Sequence, residues 1–418
     1  MAHKLTFNII LLEDLQLNNT LMISPQDAFQ CVVEACTGLS SRQTPLAEAV
    51  GLQLMEDIAA DRDFPPFHRA MMDGFAVRLT DAGKTLPVAG EIPAGFEWTR
   101  SWPQGTCLEI MTGAACPPGV EAVVPKEHVE REGDRIVLPQ QIAPGENIVS
   151  QGKECMAGRI VLSTGQTLTP LAIAVAAAVG RTQVRAIPRP RLAIVVTGEE
   201  LAHESEITQG ANIHDSNGPM LVALARASGL TAAELVCVGD KQEAISGALE
   251  RFADWDLVVL SGGVSAGNYD LVPCTVQSWG GKTLFHYVRQ KPGKPLFFAR
   301  RKKQLIFGLP GNPLACHFCF ERYVAAALDV LQRKNPHARE FTGTLNATFR
   351  AKGERTHFVP ARCTSSDTTP GPWQVTPMPG VSSADIFSCT TANCFLEVPP
   401  QQEFWPVGSA LPCHWFVK

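Results

Sequence analysis

Apolar positions along this 418-residue chain change their spacing several times, and each change predicts a different kind of structure. From about Ile23 to Arg62 the spacing is near-helical. Ser24 and Pro25 suit an N-cap and a first helical position, and Ala28, Val32, Val33 and Ala35 follow. From Asp63 to about Ile142 the chain turns to short apolar runs, Glu121 to Pro125 and Arg135 to Pro139 among them, cut by glycine and proline. That texture predicts a small β domain. Thr169-Pro170 then opens a helix that Gly180 closes. This helix is expected to rejoin the first region, which makes the β domain an insertion.

From Arg191 to about Arg333 strand and helix patterns alternate. Leu192 to Val196, Ala233 to Val238, Leu257 to Leu260 and Ile306 to Leu309 read as strands. Pro219 to Ser228, with Ser216 or Asn217 as caps, and Gln242 to Phe252 read as helices, and Pro313 begins a long apolar one. Alternation of this kind predicts a mostly parallel sheet covered on both faces. From Glu340 to Lys418, β-branched runs between Gly, Pro, Ser and Thr predict a small β barrel or sandwich. No internal repeat and no low-complexity linker stands out.

Composition narrows the function. At roughly 150 residues per domain the length predicts two to four domains. A chain 45% hydrophobic and 18% charged is globular. Lys+Arg 36 against Asp+Glu 41 leaves a net charge of −5. A broad basic surface for nucleic acid or anionic membrane is therefore not expected, while a local basic pocket remains open. The longest helix-like apolar stretch, Leu171 to Val179, falls short of the ~20 residues a bilayer needs. The run Phe7 to Leu12 meets Glu13 and Asp14 at once and lacks a cleavage site. Secretion and membrane insertion are disfavoured. Thirteen scattered cysteines argue against a disulfide framework and for a reducing, cytoplasmic setting. The one C-x-x-C, Cys316 and Cys319, lies in the apolar helix and reads as buried thiols. Ten histidines without H-x-x-H or H-E-x-x-H give no zinc-hydrolase pattern.

In an open α/β sheet ligands bind beyond the carboxyl ends of the strands, and four stretches fall there. Ser261-Gly262-Gly263-Val264-Ser265-Ala266-Gly267-Asn268-Tyr269-Asp270 follows a strand directly. It is either a plain turn or a cradle whose N–H groups meet a phosphate. Gly308-Leu309-Pro310-Gly311-Asn312-Pro313 offers a helix start, with Asn312 as cap, that attracts an anion. Thr197-Gly198-Glu199-Glu200 places carboxylates at a strand end. Such carboxylates can hold Mg²⁺, with Asp240 and Asp270 able to add further oxygens, although exposed loop acids are common and the signal alone is weak. Lys291-Pro292-Gly293-Lys294-Pro295 is a stiffened loop with two ammonium groups suited to an oxyanion, whereas Arg300 to Lys303 read as a solvated turn. In the β domain, Met72-Asp73-Gly74 and Ile110-Met111-Thr112-Gly113 read, alone, as hairpin turns. Gly263-x-Ser265-x-Gly267 fits a nucleophile elbow, which makes a serine hydrolase using Ser265 a remote alternative. An elbow runs straight into a helix, however, and Asn268, Tyr269, Asp270 and Pro273 read as loop.

Taken in order, these stretches, together with Asp215-Ser216-Asn217, Thr197 to Leu201 and Ala392-Asn393-Cys394-Phe395, resemble the MoeA-type molybdopterin molybdotransferases, relatives of the gephyrin E domain. The resemblance runs from about Ile23 to Phe395. It implies an elongated domain (21–62 with 143–186), an inserted β domain (63–142), an α/β domain similar to the molybdopterin adenylyltransferases (187–335) and a C-terminal β barrel (336–418). It also implies a homodimer whose sites are shared between subunits. The implied reaction inserts molybdate into the dithiolene of adenylylated molybdopterin, with Mg²⁺ and release of AMP. On the family's pattern Asp215, Ser216, Asn217, Ser261, Gly262, Gly263, Ser265, Gly267, Pro310, Gly311, Asn312 and Pro313 hold the nucleotide-linked pterin. Lys291, Lys294, Arg355 and Ser383 meet oxyanions, and Glu200, Asp240 and Asp270 meet Mg²⁺. Asp73 and Thr112 reach the partner's site. A molybdopterin adenylyltransferase and a molybdoenzyme or its chaperone are the implied protein partners. The chain departs from the pattern at Asn268, at Val149 to Glu154, at Tyr287 with Arg289 as a possible substitute cation, at Asp240-Lys241 and at Pro360. The lost basic residues also suit a non-catalytic molybdopterin- or molybdate-binding scaffold.

Overall fold

The computed structural model describes residues 22–199, 201–202, 212–264, 271–365, 373–400 and 402–417. Helix α1, Pro25–Ala35, begins where Ser24 accepts the Asp27 N–H and Pro25 takes the first turn. It ends at Cys36, whose backbone is extended. The helical expectation for the rest of Ile23 to Arg62 is corrected by this point. After Ala35 the apolar spacing lapses, and Arg42–Pro45 becomes a strand paired antiparallel with Gln183–Ala186. A partner more than a hundred residues away decided that segment, and local periodicity does not reveal it.

The chain forms two units, one from Arg42 to Ala186, the other combining what precedes and follows it. In the first unit, Ile58–Ala59 pairs with Ile160–Leu162. Helix α2, Pro170–Ala178, is capped by Thr169, and the chain leaves it through Gly180 at φ 79°. Leu54, Ile58, Leu162, Leu168, Ala172, Ala176 and Val184 make one core. Between those segments lies a six-stranded sheet ordered 122–125, 74–77, 107–110, 85–92, 135–137, 130–132.

The second unit holds the alternating region. Its elements are β1 Leu192–Thr197, α3 Asn217–Ala227, β2 Ala233–Val238, α4 Gln242–Arg251, β3 Leu257–Ser261, α5 Leu271–Ser278, β4 Lys282–Tyr287, β5 Pro295–Arg301, β6 Gln304–Leu309 and α6 Pro313–Cys319. A wide π turn, Phe320–Val324, then leads into α7, Ala325–Leu331. The sheet order is β2-β1-β3-β6-β5-β4, parallel through β6 and antiparallel beyond it. Along β1 the pleat sends Leu192, Ile194 and Val196 to one face with α1, α3, α6 and α7. Ala193 and Val195 go to the other face with α4 and α5. All six β1 residues are buried, as a central parallel strand requires. Pro273, read from sequence as loop, lies in the first turn of α5, where a missing N–H leaves no helical bond unmade.

Strands β7 Glu340–Leu345, β8 Thr356–Thr364, β9 Trp373–Pro377, β10 Cys394–Val398 and β11 Ala410–Trp415 close into a five-stranded barrel, in the ring order β8-β9-β7-β11-β10. Leu345, Val359, Ala361, Val375, Leu396, Val398 and Leu411 fill it. A short strand, Gln290–Lys291, adds to β8 in parallel, with Lys291 opposite His357. Among the described residues no helix is long and apolar enough to cross a membrane.

Candidate functional site

Helix α3 follows β1 and packs on one face of the sheet, and α4 follows β2 and packs on the other. β1 therefore has its sequence neighbour β2 on one side and β3 on the other. A crevice opens at the carboxyl end of such a switch point. Ser261, at the end of β3, is 1% exposed. Its hydroxyl accepts from Asn217 Nδ2 at 2.9 Å, and the same amide donates to the Gly311 carbonyl at 2.8 Å. Asn217 at the start of α3 thus joins the β3 loop to the β6 loop. Asp215 Oδ1 accepts the Gly218 N–H at 3.0 Å and holds the entry to α3, where Ser216 is the N-cap. Gly262 has φ 100°, and a Cβ there would stand 2.5 Å from the Thr197 carbonyl oxygen. Only glycine lets β3 turn this close to the end of β1. Among the described residues, Thr197 Oγ1 and Asn217 Oδ1 are buried without a hydrogen-bond partner. Such groups are costly unless something pairs with them.

Asn312 is the N-cap of α6 and its carbonyl accepts the Cys316 N–H at 2.9 Å. Its side chain, however, makes no bond to the α6 N–H groups and instead donates to Ser383 Oγ at 2.7 Å. The Ser383 carbonyl accepts the Ala315 N–H at 3.2 Å. Two bonds therefore seat a barrel loop on the start of α6, behind Pro310 and Pro313. Asp385 shapes that loop by accepting from the Val381, Phe387 and Ser388 N–H groups and the Ser388 hydroxyl, which holds its carboxyl below the usual range. A cavity of about 360 Å³ adjoins it, lined among others by Ser216, Met220, His317, Pro360, Ile386 and Phe416. Sequence reasoning missed these apolar walls because they come from three elements far apart in the chain.

Lys291 and Lys294 are both exposed. The Lys294 ammonium stands 5.9 Å from the centroid of the Tyr287 ring, which stacks on His286. His286 Nε2 in turn lies 3.2 Å from the Val264 carbonyl of the glycine run. Burial first, then the charges of Lys291 and Arg355, push the His357 pKa down. Lys291, Arg355 and His357 therefore form one basic cluster where the short strand meets the barrel. His357 gave no sequence signal, since its place was set by the register of β8. The expected compensation by Arg289 is corrected: its guanidinium donates to the Met22 carbonyl at 3.2 Å, beside α1. Cys316 and Cys319 are fully buried, and burial pushes the Cys316 thiol up to about 12.

In the other unit Asp73 and Thr112 come together. The Thr112 N–H and hydroxyl both donate to Asp73 Oδ1 at 2.7 Å, and these bonds hold the exposed Asp73 carboxyl below its ordinary pKa. Glu154 is paired with Arg69 at 2.7 Å. Asp240 is exposed beyond the edge strand β2. Glu200, Ser265, Gly267, Asn268 and Asp270 lie outside the described residues, and Gly263 is placed at φ 62° on their near side. Among the described residues, no group of three His, Cys, Asp or Glu is arranged to hold a metal.

Known proteins share this organisation. Residues 23–180 match the MoeA N-terminal region (domain I and II), 193–330 the probable molybdopterin binding domain, and 342–413 the MoeA C-terminal region (domain IV). A molybdopterin molybdenumtransferase of Synechocystis sp. is 31% identical over 87% of this chain and 92% of its own. One of Staphylococcus epidermidis is 31% identical over 90% and 91%. Molybdopterin molybdenumtransferase 2 of Mycobacterium tuberculosis is 36% identical over 73% and 79%. A molybdopterin biosynthesis MoeA protein structure from Pyrococcus horikoshii superposes with a TM-score of 0.74 at 26% identity, over 95% of this chain and 99% of its own. The serine-hydrolase alternative at Ser265 has no support among these relatives. Three matched regions in order, and relatives matched along most of their length, show that this chain belongs to the MoeA-type molybdopterin molybdenumtransferases, enzymes of molybdenum cofactor biosynthesis.

Proposed function

We propose that this chain inserts molybdate into the dithiolene of adenylylated molybdopterin and releases AMP. The observation that carries the reading is the basic cluster of Lys291, Arg355 and His357, with Lys294 linked through Tyr287 and His286 to the glycine run. The two lysines and Arg355 bind the tetrahedral dianion through charge-assisted hydrogen bonds. The Ser261–Gly263 turn, Gly311 and the start of α6 hold the phosphates, as glycine turns and helix starts do. Thr197 Oγ1 and Asn217 Oδ1 find their missing partners on the bound nucleotide-linked pterin. The chemistry is positioning and electrostatics, without a covalent intermediate on the protein.

Carboxylates are the right donors for Mg²⁺, and Glu200, Asp240 and Asp270 each follow a strand of the switch region in sequence, so these three are its proposed ligands. When bound, Mg²⁺ neutralises charge as the adenylyl bond breaks. Asp270→Asn is expected to lower turnover at least tenfold with little change in melting temperature. Unchanged turnover at saturating Mg²⁺ removes Asp270 from the ligand set. Asp73 and Thr112 complete the site of the second subunit in a homodimer. A molybdopterin adenylyltransferase supplies the substrate, and a molybdoenzyme or its chaperone takes the product. Thirteen free cysteines fit a cytoplasmic setting.

The reaction itself is tested by mixing purified protein with adenylylated molybdopterin, molybdate and Mg²⁺, then following AMP and metal-containing cofactor. Stoichiometric binding without AMP would select the scaffold reading, which Tyr287 and the diverted Arg289 favour. The oxyanion's location has its own test. A dianion at the cluster offsets the two positive charges that help keep His357 neutral, so molybdate is expected to raise the His357 pKa. Binding then takes up protons and tightens as pH falls from 8 towards 6. An imidazole resonance of His357 that titrates identically with and without molybdate places the anion elsewhere.

A further inference from the structure

Two exposed ammonium groups three residues apart have no fixed separation unless the backbone between them is held. Gln290, immediately before the loop, is 0% exposed. Its Nε2 donates to the Gly293 carbonyl at 2.8 Å, a bond that spans the loop between the two lysines. Its Oε1 accepts from the Tyr323 hydroxyl at 2.5 Å. Tyr323 is also 0% exposed, and burial pushes its phenol well above the ordinary pKa, so it stays a donor. It stands on the π turn Phe320–Val324. A turn wider by one residue shifts the face on which later side chains stand, and such turns concentrate at functional sites. Gly293 presses on the same helix. At φ 82°, a Cβ there would lie 2.5 Å from Cys319 Sγ. A buried glutamine is a poor core residue unless each of its polar atoms is paired. Here both are, and both bonds end on the loop or its support.

We propose that Gln290 and Tyr323 are positioning residues for the oxyanion loop: the Tyr323 hydroxyl orients the Gln290 amide, the amide fixes the Gly293 carbonyl, and the spacing of Lys291 and Lys294 follows. The inference rests on the assignment of molybdate to that loop. It predicts a split between the two substrates, because the glycine cradle is held by different bonds, those of Asn217.

The test uses the full chain, with Y323F and Q290M. Y323F keeps the ring and loses one oxygen, and Q290M keeps length and loses both polar atoms. Displacing a binding group by less than 1 Å is enough to cost an order of magnitude or more. The expected result is a KM for molybdate raised about tenfold in Y323F and at least as much in Q290M, with KM for adenylylated molybdopterin and kcat at saturating molybdate within about twofold. Melting temperature should fall by only a few degrees in Y323F, which decides the matter if Q290M does not fold. An unchanged molybdate KM in Y323F, or an equal rise for both substrates, overturns the positioning role. K294A separates the two levels. If it raises the molybdate KM while Y323F does not, only the positioning role falls. If K294A also leaves that KM unchanged, the assignment of the loop fails and the inference falls with it.

Discussion

Lys294→Ala is expected to raise the KM for molybdate by roughly one to two orders of magnitude, the worth of one hydrogen bond to a charged group at ~1.5–3 kcal/mol. KM for adenylylated molybdopterin should move less than about threefold. The asymmetry follows from geometry. Among the described residues neither Lys291 nor Lys294 is in an ion pair. Among those residues no carboxylate takes up their charge, and the Lys294 ammonium has the Tyr287 ring as cation–π neighbour at 5.9 Å. The proposed pterin side of the site rests on Asn217, Ser261 and Gly311, which are joined to one another and, among the described residues, by no side-chain bond to the loop. Because the lysines are exposed, the difference between wild type and variant should also shrink as ionic strength rises, since ~0.15 M salt already screens beyond about 8 Å. Initial rates with molybdate varied at fixed pterin, and the reverse, measure the split. A parallel rise of both constants, or of neither, counts against a dedicated oxyanion role for Lys294.

How much of this was legible beforehand varied with the range of the interaction that decides each element. The four parallel strands of the α/β region were readable one by one, whereas the antiparallel pair β4 and β5 and the helix α5 were not. Ala233–Val238 is bounded where the apolar run is bounded, and β1, β3 and α4 differ from their sequence limits by one residue. A buried parallel strand needs an unbroken apolar run, so the pattern and the physics coincide. The segment after Ala35 was not readable, because its pairing with Gln183–Ala186 is non-local. The site divided in the same way. Glycines and prolines at strand ends advertise backbone demands, which pointed to Gly262, Gly311 and the Lys291–Lys294 loop. The side-chain partners that complete them gave no such sign. Asn312 is the cap position it looked like but turns its side chain to Ser383, Arg289 looked like a loop cation and holds Met22, and His357 and Gln290 owe their places to barrel register and core packing.

Gly262→Ala is expected to be the most damaging single methyl group at the strand-end crevice, and its contrast with Gly311→Ala separates folding from binding. The new Cβ of Gly262→Ala would stand 2.5 Å from the Thr197 carbonyl oxygen and 2.7 Å from Thr197 Oγ1, on a backbone at φ 100°. Thr197 is 5% exposed, and β1 is paired on both sides along its length, with β2 and β3. Neither strand has room to retreat. Overpacking of this kind costs ~1–3 kcal/mol and an unfavourable φ a similar amount. A loss of about 3 kcal/mol, or on the order of 10 °C in melting temperature, follows. At Gly311 the backbone is ordinary, and a Cβ would meet nothing nearer than Gly262 Cα at 3.9 Å. Gly311→Ala should therefore melt within about 2 °C of wild type. It places its methyl inside the proposed phosphate cradle all the same, so affinity for adenylylated molybdopterin should fall about tenfold or more while molybdate KM stays near its wild-type value. Thermal melts and pterin titrations of the two variants test both halves. A Gly262→Ala protein as stable as wild type would mean that β3 does not turn against Thr197 in solution. A Gly311→Ala protein that binds the pterin normally would move the phosphates away from the start of α6.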